Sequence, residues 1–177
     1  MEMSQLLLMR HELLLILSAL ILLVVELAAR DDHKTSIIPW ATGLFALVTL
    51  VGFLPVPEGT LFGGAYQSTP LTSTIKDILN MAVLIVFLQS EGWLKKEENY
   101  DRISEYFLVV IATLIGMNFM VSAGDFLTLY IGLETATIPL AGLAAFDKYK
   151  SRSAEAGIKF ILSSALSSGV LLFGLSL

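Results

Sequence analysis

The chain has 177 residues, of which 55% are hydrophobic and only 15% are charged. Soluble domains carry about 25% charged residues, so this composition, with a mean hydropathy of +0.77, predicts an integral membrane protein. The net charge of −5 is spread over the loops without a basic stripe, which argues against nucleic-acid binding. The chain contains no cysteine, which excludes disulfides, iron–sulfur ligation and thiolate zinc sites, and no other ligand spacing predicts a metal site.

Six apolar segments follow one another along the chain, each long enough to cross roughly 30 Å of hydrocarbon as a helix. They predict an all-α, polytopic membrane protein, and no alternating Val/Ile segment suggests a barrel. We divide the chain into residues 1–103, with three helices and their loops, and residues 104–177, with the other three. The predicted helices are Glu12–Ala29, Ile37–Leu54, Thr72–Gln89, Glu105–Ser122, Asp125–Phe146 and Ala154–Leu177.

The first apolar segment resembles a signal peptide in having Arg10 before it and Ala28-Ala29 at its end. However, Glu26 interrupts the end of the run and Asp31-Asp32 follow at once, which favours a retained helix.

Basic residues in the loops predict the orientation of the bundle. Eight of them follow the first, third and fifth predicted helices, whereas Arg10 alone stands on the other side. Because basic loops stay in the cytoplasm, this distribution places the N-terminus outside. The eight residues are Arg30, Lys34, Lys95, Lys96, Arg102, Lys148, Lys150 and Arg152.

Several polar residues near the helix ends are interpreted as interfacial. Glu12 and Glu26 stand at the two ends of the first helix, and Lys76 and Asp77 stand near the outer end of the third. Adjacent residues point about 100° apart on a helix, so Lys76 and Asp77 are not expected to face the same partner. Tyr66 is assigned to the aromatic belt at the membrane surface.

Glu134 is the strongest candidate functional residue, because it lies near the middle of the fifth apolar segment. An ionisable side chain at that depth costs roughly 2.5–3.5 kcal/mol on insertion scales, so a functional role is the default interpretation. The alternative is a protonated carboxyl group that only joins two helices.

The surroundings of Glu134 support a role in proton transfer. Pro139 is expected to kink the helix one turn away, and the Thr135 and Thr137 hydroxyls to hold water beside the carboxyl group. The residues on the Glu134 face suit contact with another helix better than contact with lipid. They are Leu127, Tyr130, Ile138, Ala141 and Ala145.

Lys159 is a second ionisable residue inside an apolar segment, the sixth, and its charge is opposite to that of Glu134. Ser163 and Ser167 lie on the same side of the helix and predict a polar track toward the membrane centre. Alternatively, Lys159 extends its ammonium group to the interface, and the residues themselves leave both interpretations open.

The second part of the chain resembles a known family, the antiporter-like subunit N of respiratory complex I, the proton-pumping NADH:quinone oxidoreductase. The resemblance is specific from Ser104 to Leu177; residues 1–103 share only helix number and loop pattern. It is carried by Ser104-Glu-Tyr-Phe-Leu-Val-Val-Ile-Ala-Thr-Leu-Ile-Gly-Met117, Ser122-Ala-Gly-Asp125, Leu129-Tyr-Ile-Gly-Leu-Glu134, Pro139-Leu140, Ser153-Ala-Glu-Ala-Gly-Ile-Lys-Phe160 with Ser163, and Phe173-Gly-Leu-Ser-Leu177.

The resemblance implies a membrane-arm subunit that translocates protons, coupled to quinone reduction elsewhere in an enzyme complex of the bacterial inner membrane. Glu134 corresponds to the essential glutamate of the family's fifth helix and Lys159 to the lysine of its sixth. No cofactor is expected in this chain, since NADH, FMN, iron–sulfur clusters and quinone belong to partner subunits. Other membrane subunits of the complex and the lipid bilayer are the expected partners.

The chain departs from that family in length. Family members have about fourteen helices, whereas this sequence ends with the sixth, so we expect a truncated chain. Two other functions remain open at this point: a related subunit of a multisubunit sodium/proton antiporter or membrane-bound hydrogenase, and a structural helical subunit whose buried charges only hold helices together.

Overall fold

The computed structural model describes residues 7–28, 37–96, 102–147 and 149–177. Within these ranges the fold is all-α, as predicted, and each of the six predicted helices is present. The observed helix bounds differ from the predicted ones by at most five residues, and the largest difference is at the end of α3. The helices are α1 Arg10–Ala28, α2 Ile37–Gly52, α3 Pro70–Leu94, α4 Ile103–Val121, α5 Phe126–Ala144 and α6 Ser151–Ser176.

Four of the helices, α3 to α6, are long and apolar enough to span a membrane, and α2 is a shorter apolar helix of 16 residues. The chain is therefore a multi-pass membrane protein. Three of the basic residues used to predict its orientation, Arg30, Lys34 and Lys148, lie outside the described residues.

Two helix starts are set by local capping. α3 begins at Pro70, and Thr69 before it forms a reciprocal capping box with Thr72, which satisfies amide groups that the first turn leaves free. α5 begins after Asp125, whose carboxylate accepts a hydrogen bond from the Thr128 amide at 2.7 Å.

The Pro- and Gly-rich segment between α2 and α3 forms a small β-hairpin, which the sequence analysis treated only as a loop. Strands β1 (Gly59–Leu61) and β2 (Tyr66–Ser68) pair antiparallel, and a turn of 3-10 helix joins them. Gly63 and Gly64 within the turn have φ angles of 68° and 99°, a region that favours glycine.

The β-hairpin covers one end of the helix bundle, which we call the hairpin end. The Gln67 amide donates a hydrogen bond to the Ser122 carbonyl at 2.8 Å, and the Gly124 amide donates to the Ala65 carbonyl at 2.8 Å. The start of α1, the end of α2, the start of α3 and the turn between α4 and α5 therefore meet at this end.

Helices α1 to α4 share the main hydrophobic core. Three phenylalanine rings from α2, α3 and α4 pack at its centre: Phe45 and Phe87 are 4.9 Å apart between ring centroids, and Phe87 and Phe107 are 4.6 Å apart. Aromatic pairs at this separation add to the energy of burial.

Helices α4 and α5 are joined by a short connection at Ala123-Gly124 and form a tight antiparallel hairpin. Two glycines permit the close approach: a Cβ atom on Gly132 would lie 2.6 Å from the Met120 amide nitrogen, and one on Gly116 would overlap the backbone at Ala136. Helix α6 then packs against the outer face of α5, where Gly157 lies against Ala145.

Candidate functional site

Glu134 lies at the centre of α5, half-buried, on the face that is turned toward α6. One turn further along this face, Ile138 and Ala141 line a cavity together with Gly157 and Ile158 of α6. The carboxylate oxygen Oε1 is buried and has no hydrogen-bond partner in the described part of the chain. Such an oxygen requires a proton, a water molecule or a partner group, because an isolated buried charge is costly.

The same face carries contacts with α6 on the other side of Glu134. Leu127 and Tyr130 line a second cavity with Leu172 and Leu175, and the Tyr130 phenol interacts with the Glu134 carboxyl group. The predicted contact between the Glu134 face and another helix is therefore confirmed for Ala141 and Ala145, which pack against α6, whereas Leu127 and Ile138 remain exposed.

The residues predicted to support Glu134 are engaged elsewhere. The Thr135 hydroxyl is exposed and donates to the Ile131 carbonyl at 2.7 Å, while the Thr137 hydroxyl donates to the Glu134 backbone carbonyl at 3.5 Å. Helix α5 continues through Pro139 to Ala144. The threonine hydroxyls thus satisfy helix carbonyls and do not contact the carboxyl group.

Lys159 does not meet Glu134 in this structure. Its side chain is 73% exposed and pairs with Glu155 one turn earlier at 2.5 Å. Ser163 and Ser167 are exposed as well, and the Ser167 hydroxyl donates to the Ser163 carbonyl at 2.9 Å. Gly157 marks the face of α6 that contacts α5, and Lys159 lies on a different face. The predicted polar track of Lys159, Ser163 and Ser167 therefore lies on the side of α6 that is turned away from α5.

A neighbouring pair of serines faces α5 instead. Ser168 is 4% exposed and donates to the Ser164 carbonyl at 2.8 Å. Glu134 lies eleven residues before Ala145, and Ser168 lies eleven residues after Gly157, the residue that contacts Ala145. In antiparallel helices this spacing puts Ser168 level with Glu134.

A second group of charged residues is buried at the hairpin end, where the sequence analysis expected only interfacial residues. The Lys76 ammonium of α3 donates to Glu12 Oε1 of α1 at 2.5 Å and to the Tyr66 hydroxyl of β2 at 2.8 Å. The Tyr66 hydroxyl donates to Glu12 Oε2 at 2.9 Å. Glu12 is 0% exposed, Tyr66 1% and Lys76 2%.

The interfacial assignment of Glu12, Lys76 and Tyr66 is therefore wrong. The β-hairpin closes over the ends of α1 and α3 and removes these side chains from water. Burial raises the pKa of the Tyr66 phenol above its ordinary value, and the Glu12 carboxylate raises this pKa further, so Tyr66 remains a hydrogen-bond donor.

His11 and Asp77 form a second pair beside the first, with Nε2 and Oδ1 3.1 Å apart. Lys76 and Asp77 thus contact consecutive residues of α1 and not the same one, as their 100° separation predicted. Gly52 of α2 leaves room for this pair, since a Cβ atom there would lie 2.8 Å from Asp77 Oδ1. Arg10 donates to the Gly52 and Leu54 carbonyls and ties α1 to the end of α2.

Sequence reasoning had one signal for the buried pair, namely opposite charges inside two apolar segments. This signal was discounted because Glu12 and Lys76 stand near helix ends. Only the β-hairpin decides whether these helix ends are exposed to water. Within the described ranges, no three His, Cys, Asp or Glu side chains come together in a way that would hold a metal ion.

Comparison with known proteins identifies the family. Residues 123–177 match the family described as NADH:quinone oxidoreductase/Mrp antiporter, TM. The whole chain is 44% identical over 177 residues to NADH-quinone oxidoreductase subunit N of Phocaeicola vulgatus, covering 37% of that protein. It is 45% identical over 178 residues to subunit N of Azobacteroides pseudotrichonymphae, covering 99% of this chain and 37% of the relative.

The apolar helices and the family match define the chain as an antiporter-like membrane protein. Over its whole length it is similar to NADH-quinone oxidoreductase subunit N of these two bacteria. The alignment with these relatives also covers residues 1–103, for which the sequence analysis recognised only helix number and loop pattern. The chain spans about 37% of the length of the curated relatives it matches.

Proposed function

We propose that this chain is part of a membrane-arm subunit of a proton-pumping NADH:quinone oxidoreductase, and that it moves protons through Glu134 and Lys159. The observation that carries the proposal is the Glu134 carboxyl group in the α5–α6 interface, with one buried oxygen that lacks a partner. The names of the relatives support the same activity.

In this proposal the Glu134 carboxyl group alternates between its ionised and its protonated form inside the membrane. Tyr130 interacts with the carboxyl group from one side, and Ser168 lies level with it on α6. The Ser168 hydroxyl donates to a backbone carbonyl, so its lone pairs are available to accept a hydrogen bond from a water molecule or from the neutral carboxyl group.

Lys159 is the second titrating group of the proposed path. Because its ammonium group lies on the face of α6 away from α5, proton exchange with Glu134 requires water or a further group beyond α6. Ser163 and Ser167 lie on the Lys159 side of the helix and provide hydroxyls for such water.

The chain is proposed to work in the bacterial inner membrane with its N-terminus outside. In support, basic residues Lys95, Lys96 and Arg152 lie at the end of the bundle opposite the β-hairpin, whereas Arg10 lies at the hairpin end. NADH, FMN, iron–sulfur clusters and quinone are assigned to partner subunits, and other membrane subunits of the complex are the proposed neighbours.

The test is Glu134→Gln in the complete membrane-bound complex. The amide keeps hydrogen bonding but cannot titrate, so proton pumping should be largely lost while the complex assembles normally. Glu105→Gln is the matched control, because Glu105 is an exposed glutamate in the first turn of α4 and should be replaceable without loss of pumping. Wild-type pumping by an assembled Glu134→Gln complex would refute the proposal.

A second function is favoured by the family description, which also covers Mrp antiporters. In that case the chain exchanges sodium for protons in a complex without an NADH-oxidising module. Purification of the intact complex distinguishes the two, since the first function requires co-purifying NADH-oxidising subunits and transport that does not depend on sodium.

A further inference from the structure

The buried pair Glu12–Lys76 belongs to no part of the proton path proposed above, and the structure connects it to more than its own two helices. Asn80 stands one helical turn beyond Lys76 on α3, and Asn118 stands one turn before Ser122 on α4. Residues four apart share a helix face, so each helix carries a short polar row that begins at the hairpin end.

These rows contain buried polar atoms without a partner. Asn80 Oδ1 and both polar side-chain atoms of Asn118 are buried and make no hydrogen bond within the described chain, and Ser122 Oγ is buried beside the Tyr66 hydroxyl. Asn118 and Ser122 are 0% exposed and Asn80 is 1% exposed. Buried polar groups normally have a protein or water partner, so bound water is the ligand that suits these atoms.

The row on α4 reaches the middle of the membrane. Gly116 faces Ala136 and Gly132 faces Met120, so Asn118, between the two α4 residues, lies level with Glu134. Asn118 points away from the α4 face that contacts α5. The row therefore ends at the depth of Glu134, on the opposite side of α4.

A second charged pair lies beside the first at the hairpin end. Asp77 is 15% exposed at its side chain, and the cavity that it lines is mostly apolar, with Phe53, Ile78 and Met81 among its walls. Its partner His11, at 3.1 Å, is the residue next to Glu12, and adjacent residues of a helix point about 100° apart. The His11–Asp77 pair therefore adds charged groups beside the site.

We propose that Glu12, Lys76 and Tyr66 form a second protonation site of this chain, which exchanges protons with buried water at the hairpin end. Water molecules held by Asn118 and Ser122 extend the site into the membrane. This inference rests on the proposed function, because it gives the chain a second place at which a translocated proton is held.

The protonation step is a simple transfer. A proton from water binds the Glu12 carboxylate, an O–H bond forms, and the ion pair becomes an ammonium group hydrogen-bonded to a neutral carboxylic acid. Release of that proton to water at Ser122 restores the ion pair. The charged groups that face the site are Arg10 and His11 on α1 and Asp77 on α3; Tyr66 on β2 and Ser122 on α4 contribute hydroxyls.

The competing explanation is a purely structural ion pair, and a double variant separates the two. Glu12→Gln together with Lys76→Gln removes both charges at once and so leaves no unpaired charge in the interior. If the pair titrates, the double variant assembles in the complete complex but loses most of its proton pumping. Glu26→Gln, the other glutamate of α1, is the matched control and should pump normally.

Tyr66→Phe provides a milder test should the double variant fail to assemble. It removes the hydroxyl that donates to Glu12 Oε2. The carbonyl band of the protonated Glu12 carboxyl group should therefore shift in pH-difference infrared spectra of the complex. Wild-type pumping by the double variant, or an unshifted band in Tyr66→Phe where the double variant does not assemble, would overturn the inference. Loss of pumping in Glu134→Gln with normal pumping in the double variant would refute this inference alone, whereas normal pumping in Glu134→Gln would refute the proposed function.

Discussion

Glu12 and Glu134 both have buried carboxyl oxygens, and the surroundings of these oxygens differ. Glu12 has a cation and a phenol within hydrogen-bond distance of its two oxygens, whereas one oxygen of Glu134 has no partner in the described chain. A buried polar atom normally has a protein or water partner, so the unpartnered oxygen of Glu134 is open to a water molecule or a further group, whereas both oxygens of Glu12 already have protein partners.

We predict that Ser168→Ala lowers proton pumping, whereas Ser151→Ala leaves it unchanged. Ser168 is buried level with Glu134, and its hydroxyl is available to a water molecule beside the carboxyl group. Ser151 is an exposed serine at the start of the same helix, and the proposed path does not use it. Pumping measured in inverted membrane vesicles at equal complex content would check the prediction, and equal effects of the two substitutions would contradict it.

At the scale of the element, the start of α5 depends on the ionisation of Asp125. The hydrogen bond from the Thr128 amide holds the pKa of the Asp125 carboxyl group below its ordinary value. Since the folded-state pKa is depressed, the stabilising contribution is present above the ordinary carboxylate pKa and is lost as pH falls through the folded-state pKa.

Acidification should therefore loosen the first turn of α5. We expect hydrogen exchange at the Thr128 amide to become faster, relative to amides within the helix, as the pH falls through the acid range. Asp125→Asn keeps a capping oxygen that does not titrate, so it should remove this pH dependence. An unchanged pH dependence in Asp125→Asn would show that another group causes the loosening.

The contact between α4 and α5 depends on glycine, which gives a second prediction at this scale. Gly132→Val places a branched side chain against the Met120 backbone, where a Cβ atom alone would lie at 2.6 Å. Backbone atoms cannot move aside as a flexible side chain can, so the two helices must separate, at a cost of about 1–3 kcal/mol or more.

Thermal unfolding of the purified protein would check the Gly132 prediction. Gly142→Ala is the control on the same helix, because nothing lies within 4 Å of a Cβ atom at that position. We expect a lower unfolding temperature for Gly132→Val and no decrease for Gly142→Ala. Equal unfolding temperatures for Gly132→Val and the wild type would contradict the close packing of α4 and α5.

At the scale of the whole molecule, the orientation proposed for the chain is testable because the sequence contains no cysteine. Thr60 is exposed on the β-hairpin, and Ser151 is exposed at the opposite end of the bundle. We predict that Thr60→Cys reacts with a membrane-impermeant thiol reagent in intact cells. Ser151→Cys should react only after the cytoplasmic side is opened; the reverse pattern would overturn the proposed orientation.

The sequence by itself determined the fold class, the helix number and the helix bounds to within five residues. These features follow from local properties: the length of each apolar segment, the charges between segments and the caps at Thr69 and Asp125. The family resemblance likewise depended on short motifs, and the whole-chain alignment confirmed it.

Only the tertiary structure decided which polar residues meet. Helix α6 has serines on two faces, so the sequence alone does not show which face contacts α5. The sequence analysis assigned the polar track to Ser163 and Ser167, whereas Ser164 and Ser168 are the serines that face α5. Glu12 and Lys76 are 64 residues apart, and their pairing depends on a β-hairpin that no apolar pattern predicts. Burial at a helix end is a property of what covers it, and that information is distributed over distant parts of the chain.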